Sequence, residues 1–153
     1  MKKQMIAAMV LAGVLMTGMI PAYGFWGGTP EKFVPREGAI RIPTDGITGQ
    51  ARFFTVTAAG GTAVTLFAVK GRDGVIRTAL NACDVCFEAG KGYTQKGDSM
   101  VCLNCGRSFP IERIGTVSGG CNPVPLGNRI EKGEVVIQMK DVDGMTRYFK
   151  NVQ

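Results

Sequence analysis

Five cysteines and no histidine set the chemistry open to this 153-residue chain. Four of the cysteines form two pairs. Cys83-Asp84-Val85-Cys86 is followed by fifteen residues and then by Cys102-Leu103-Asn104-Cys105-Gly106. A two-residue gap lets both thiolates of a pair turn onto one metal, and a glycine after the second pair suits a tight turn whose N–H groups aim at sulfur. Two such turns facing each other build a four-sulfur site, and the connector has the length found in zinc-type sites. The competing reading is a set of disulfides. A bridge inside a C-x-x-C unit is strained and more often redox-active than structural, whereas bridges between the pairs remain geometrically open. The absence of histidine excludes His-based zinc hydrolases, His-ligated haem, Rieske centres and Ser-His-Asp catalysis. No acid, base and nucleophile stand together elsewhere, so substrate turnover is not expected.

Thiolates of this kind suit an iron–sulfur cluster, a single iron, copper(I) or zinc. Zinc in a closed four-sulfur shell would be a staple, while iron or copper would be redox-active. Two features lean away from plain zinc. Cys121, behind Gly119 and Gly120, offers a fifth sulfur as ligand or gate; its bland role is a lone buried cysteine. Met100, two residues before Cys102, offers a soft thioether that favours copper, against an ordinary role in core packing. Five sulfurs and a thioether could hold two copper ions with bridging thiolates. Asp84, between the first two cysteines, reads as a turn cap.

The elements that position these residues are mainly β. Twenty-two glycines and seven prolines punctuate the chain too often for long helices. Ala39–Ile42, Ala51–Thr57, Thr62–Lys70 and Val75–Leu80 read as strands of an antiparallel meander with turns at Thr44–Gly46, Ala58–Gly61 and Gly71–Gly74. The last of them runs into Cys83. Tyr93–Gln95 and Ser99–Val101 form a ribbon turning at Lys96-Gly97-Asp98. Pro123 and Pro125 bar a helix after Cys121. Glu134–Lys140 and Met145–Val152 read as a final hairpin around Asp141–Gly144, completing the sheet. Asp141 and Asp143 are turn residues there. The expected fold is a small antiparallel sheet or barrel-like domain carrying a zinc-ribbon-like pair of C-x-x-C knuckles.

Ahead of that domain, residues 1–24 have the make-up of an export signal. Lys2 and Lys3 precede an apolar run from Met5 to Ile20, and Ala22-Tyr23-Gly24 offers a cleavage site. The run is short of the about twenty residues that span a bilayer. If uncleaved it would serve as an anchor, the only membrane contact expected. Residues 25–38 form a Gly/Pro-broken arm with Phe25, Trp26 and Phe33, either a tether or a piece that packs on a neighbour. Residues 39–153 are the cysteine-rich domain. Without Lys2 and Lys3 the positive excess is mild and scattered, with no aromatic interleaving, so no nucleic-acid partner is expected. Export places the cysteines where free thiols oxidise. Their odd number is explained by metal occupancy, as is their spacing.

Several stretches together resemble the FtrD-like family of membrane iron–sulfur proteins. These are Arg77-Thr78-Ala79, both cysteine pairs, Lys91-Gly92-Tyr93, Gly97-Asp98-Ser99-Met100-Val101, Phe109-Pro110-Ile111 and Gly119-Gly120-Cys121-Asn122-Pro123-Val124-Pro125-Leu126. The likeness runs from about Ala39 to the C-terminus. It implies an iron–sulfur site at Cys83, Cys86, Cys102, Cys105 and Cys121, and a link to iron uptake and electron delivery across the cell envelope. Expected partners are redox or metal-transport proteins of the envelope, in the periplasm or outside the cell. The alternative expectation is a structural or assembly subunit, whose metal staples a small β domain and whose aromatic arm or sheet edges self-associate, even into a filament. A thiol oxidoreductase is a weaker option, because glycines and prolines follow both pairs where a helix belongs.

Overall fold

The computed structural model describes residues 29–150. The expected export signal, residues 1–24, lies outside the described residues, as do Phe25 and Trp26 of the arm. The chain is mainly β, as the glycine and proline punctuation requires. Ten strands are described: β1 (Glu31–Lys32), β2 (Ala39–Pro43), β3 (Arg52–Thr57), β4 (Ala63–Lys70), β5 (Ile76–Leu80), β6 (Tyr93–Lys96), β7 (Ser99–Cys102), β8 (Ser108–Pro110), β9 (Arg129–Glu131) and β10 (Glu134–Gln138). One short helix, α1 (Met139–Asp143), follows β10. No helix among the described residues is long and apolar enough to cross a membrane.

The strands make three sheets, ordered β1-β3-β4-β5, β2-β10-β9 and β6-β7-β8. The first divides the molecule. Its centre, β4, reads Ala-Val-Thr-Leu-Phe-Ala-Val-Lys, with Leu66, Phe67, Ala68 and Val69 all fully buried. A strand apolar on successive residues must be covered on both faces. Phe54, Val56, Val64, Leu66 and Leu80 face one core, with Ile40, Ile42, Val135 and Ile137 of the second sheet. Phe67, Val69 and Ala79 face another, which contains Cys83, Cys86, Cys102, Cys121, Tyr93 and Met100. Four of the five cysteines are therefore built into one of two hydrophobic cores, on the far side of the first sheet.

The meander holds from β3 through β5, but the expected first strand does not belong to it. β2 pairs antiparallel with β10, opposing Ile42 to Val135 and Ile40 to Ile137. The arm takes its place at the edge: β1 pairs parallel with β3, and Phe33 packs edge-on against Phe54 at 6.0 Å between ring centres. That aromatic is satisfied within its own chain.

The C-terminal hairpin is a correction. β10 does form, but its hairpin partner is β9, through the turn at Lys132-Gly133. β10 is thus the middle strand, with β2 on one side and β9 on the other, so a following strand cannot form a hairpin with it. Met139–Asp143 turns helical instead, and Thr146–Tyr148 forms a 3₁₀ turn. Met139, Val142 and Met145 recur at three-residue intervals and pack on the first core. Asp141 and Asp143 sit in this helix rather than in a turn, and Asp143 accepts a hydrogen bond from the Ala59 N–H at 2.7 Å.

Phe54 meets the second sheet, the arm and the Arg52 guanidinium, which lies 5.2 Å above its ring. Truncating it to Ala should cost about 3–5 kcal/mol. Urea denaturation followed by circular dichroism measures that loss; a cost below about 1 kcal/mol would mean that the two layers are not joined there.

Candidate metal centre

Three separate stretches deliver the five sulfurs. The first knuckle leaves the end of β5: the strand stops at Leu80, and Cys83 follows within one turn. The Cys86 N–H donates to the Cys83 sulfur at 3.2 Å, the turn geometry that the two-residue gap requires. The second knuckle is the hairpin turn between β7 and β8. Cys102 closes β7, its N–H donates to the Arg107 carbonyl at 2.9 Å, and the Gly106 N–H donates to the Cys102 carbonyl at 2.9 Å. Gly106 has φ +73°, the conformation that glycine takes without strain.

Cys121 arrives by a route that spacing does not reveal. The stretch from Cys121 to Leu126 runs alongside the end of β5. Leu80 N–H donates to the Val124 carbonyl at 2.9 Å, Val124 N–H to the Ala82 carbonyl at 3.0 Å, and Leu126 N–H to the Thr78 carbonyl at 3.2 Å. The Thr78 hydroxyl adds a bond to the Leu126 carbonyl at 2.5 Å. Val124 and Leu126 donate while Pro123 and Pro125 fall on the alternate positions, where an edge strand needs no N–H. The prolines thus allow a seam that carries Cys121 back to the first knuckle. Its sulfur lies 3.8 Å from that of Cys86.

The five sulfurs converge in two overlapping groups. Cys83, Cys86 and Cys102 make one group, and Cys86, Cys105 and Cys121 make a second, each with all its sulfurs within 4.8 Å of one another. Cys86 belongs to both. Four of the five are buried, and Cys105 alone is exposed. Met100 is fully buried in the same core, on the same face of β7 as Cys102. Asp84 does not cap the knuckle. It accepts a hydrogen bond from the Tyr148 hydroxyl at 2.5 Å, with Arg147 at 4.0 Å, and so ties the C-terminal 3₁₀ turn over the first pair.

Two tyrosines complete the surroundings, and the residue pattern alone gave neither of them a role. The Tyr93 hydroxyl donates to the Cys121 carbonyl at 2.5 Å, and its N–H donates to the Asn81 side-chain oxygen at 2.7 Å. Gly92 makes this possible: a Cβ there would come within 2.4 Å of the Asn81 amide. Burial and the adjacent Cys83 hold the Tyr93 phenol well above its ordinary range, so it stays a neutral donor. Tyr148 stacks edge-on against Phe87 at 5.5 Å, just past Cys86. A clue to Tyr93 lay in its pairing distance from Cys102 across a predicted ribbon, and the two residues are direct partners in the β6–β7 ladder. Tyr148 gave no such clue, since it falls in the segment expected to be a strand.

The thiols are electrostatically unequal. The Arg107 backbone N–H lowers Cys105 to about 7, while burial raises Cys102 to about 11. Cys121 is raised, first by Cys105 and then by burial. The Asn104 side chain pulls Cys86 down, but burial and Cys121 outweigh it and its thiol ends up raised. Beside the first group lies a cavity of about 420 Å³, lined by Cys83, Cys86 and Cys102 together with Asn81, Phe87, Tyr93, Tyr148 and Phe149.

Residues 47–149 match the family described as membrane iron-sulfur containing protein FtrD-like. This chain belongs to the FtrD-like family. No curated protein and no solved structure matches it. The donor set of this FtrD-like chain fits the group the family name implies. The two convergent groups consist of sulfur alone, and the acid nearest in sequence, Asp84, is turned to Tyr148. The 3.8 Å between Cys86 and Cys121 is also the edge of a sulfur tetrahedron built on a metal–sulfur bond of about 2.3 Å. The family name and the cysteine cluster together make this a metal-binding protein.

In the metal-free, reduced protein, brief iodoacetamide treatment at neutral pH should label Cys105 well before Cys102, because only the thiolate reacts. Peptide mass spectrometry over time reads the order. Equal rates would show that the fold does not separate the two thiols.

Proposed function

We propose that this chain is an exported redox protein that holds a two-metal, cysteine-ligated centre and carries electrons or handles metal in the cell envelope. The observation that carries the reading is the sharing of Cys86 between two groups of three sulfurs. In an iron–sulfur centre, Cys83 with Cys102 and Cys105 with Cys121 would each serve one iron, and Cys86 would lie between them. Such a centre supplies one-electron transfer when bound. The chain's own part is to hold five sulfurs in place against two sheets, to bury four of them and to supply N–H donors from the knuckle turns. Those donors and the burial set the potential.

A dinuclear copper centre is the second reading, and the same sharing favours it, because a thiolate in both groups can bridge two copper(I) ions. Met100, buried on the Cys102 face of β7, would add a thioether. The assembly reading keeps less support, since Phe33 is packed against Phe54 of its own chain.

Elemental analysis with visible spectroscopy on anaerobically purified protein distinguishes these readings. Iron with sulfide, or copper without it, should appear at two metal atoms per chain. Cys86→Ser should lose metal from both groups and lower the unfolding midpoint, because binding free energy is folding free energy in such a site. Cys105→Ser should disturb the second group alone. Full metal content and an unchanged spectrum in Cys86→Ser would overturn the shared-sulfur centre.

A further inference from the structure

Beside β8 lies a second cavity, and its charge is uncompensated. Arg41, Arg52, Arg72, Arg77, Arg129 and Arg147 each have a carboxylate oxygen within 4.0 Å. Arg107 and Arg113 have none among the described residues, and both line one open recess of about 390 Å³. Arg36, the remaining arginine without an acid, does not line it. We propose that this recess binds a small organic oxyanion, a carboxylate or a phosphate ester, held by the Arg107 and Arg113 guanidiniums. The inference goes beyond the metal reading and does not depend on it, since no cysteine lines the recess.

Two cations on one recess repel each other, and an anion between them removes that cost. The chain does not supply the anion. No carboxylate lines the recess, and Glu112, the neighbour of Arg113, is turned to the Arg72 N–H, which donates to it at 3.3 Å. A guanidinium fork pairs with carboxylate and phosphate alike through two parallel N–H···O bonds.

The rest of the lining suits an organic body rather than a bare ion. Phe109 and Val117 offer apolar surface, and the Ser108 hydroxyl adds a donor. Asn122 donates its amide to the Gly119 carbonyl at 3.0 Å, which leaves its side-chain oxygen to accept from a hydroxyl on the ligand. The volume falls in the range of small-molecule pockets, about 300–1,000 Å³.

The frame stands preformed. Ser108 and Phe109 pair with Val101 and Met100 in the β7–β8 ladder, and Phe109 stacks edge-on against Tyr93 at 6.2 Å. The Arg113 carbonyl accepts from the Thr116 N–H at 3.2 Å and from its hydroxyl at 2.9 Å. Adjustment falls to the two long arginine side chains.

The test is calorimetry on the full chain at low salt, with malate and glycerol 3-phosphate as probes and sulfate as the bare anion. One equivalent of malate or glycerol 3-phosphate should bind saturably, about tenfold tighter than sulfate, the scale of burying about two methylene groups. The tighter of the two probes distinguishes carboxylate from phosphate. Arg113→Gln should weaken binding about fivefold, the upper scale of an exposed ion pair, and Arg107→Gln with Arg113→Gln should abolish it. Both variants should keep the unfolding midpoint, and Arg36→Gln should bind as the wild type does. Failure of both probes to bind, sulfate as tight as either, or wild-type binding by Arg113→Gln would each overturn the site. Saturable binding of polyglutamate alone would overturn the small ligand and make the recess a contact for an acidic protein.

Discussion

Thiolates repel one another, and this fold gathers five cysteines so that two groups of three share Cys86. Like charges this close cannot all ionise in a buried setting unless a cation joins them. Everything else in this half of the molecule manages that constraint. The sheet through β4 gives the sulfurs a rigid wall, the knuckle turns turn N–H groups toward sulfur, and the Pro123–Pro125 seam fixes the third approach. The spread between Cys105, at about 7, and Cys102, at about 11, comes from their surroundings: one sulfur is exposed beside a backbone donor and the other is buried. Bound metal would offset that repulsion in each group, and ligand geometry and fold stability would then be one property.

Much of the scaffold is legible in the residues. The β3–β5 meander follows from β-branched and aromatic runs cut by glycine turns, and the β6–β7 ribbon follows from the Lys96-Gly97-Asp98 turn. The pairing of β2 with β10 is not legible, because register between distant strands leaves no local mark. The C-terminal segment misleads for a related reason. Met145–Val152 has residues a strand tolerates, but a hairpin with β10 needs one of its edges, and β2 and β9 occupy both.

The candidate centre divides in the same way. The two C-x-x-C pairs are local and can be read directly. That Cys121 belongs with them is suggested by an odd cysteine count, but its partner is fixed by backbone bonds to Thr78, Leu80 and Ala82, some forty residues away. The splitting of four expected ligands into two groups sharing Cys86 could not be read from spacing, since either arrangement satisfies a two-residue gap. Asp84 shows the limit of reading a short acid beside cysteines as a cap: its partner, Tyr148, lies 64 positions on.

The pairing of β2 with β10 also bears on the order in which the molecule can be completed. Arg41 and Glu134, bonded across that ladder, are 93 positions apart. All five cysteines lie inside this span. Closing so long a loop carries about 4 kcal/mol of length-dependent chain entropy, which contacts formed earlier within the loop reduce. The meander, the ribbon and the knuckles are each local, so the sulfur-bearing half can assemble while the outer sheet is still open. High contact order then falls on the half without the cysteines, and a metal that binds early would shorten the remaining search by pinning Cys86 to Cys121.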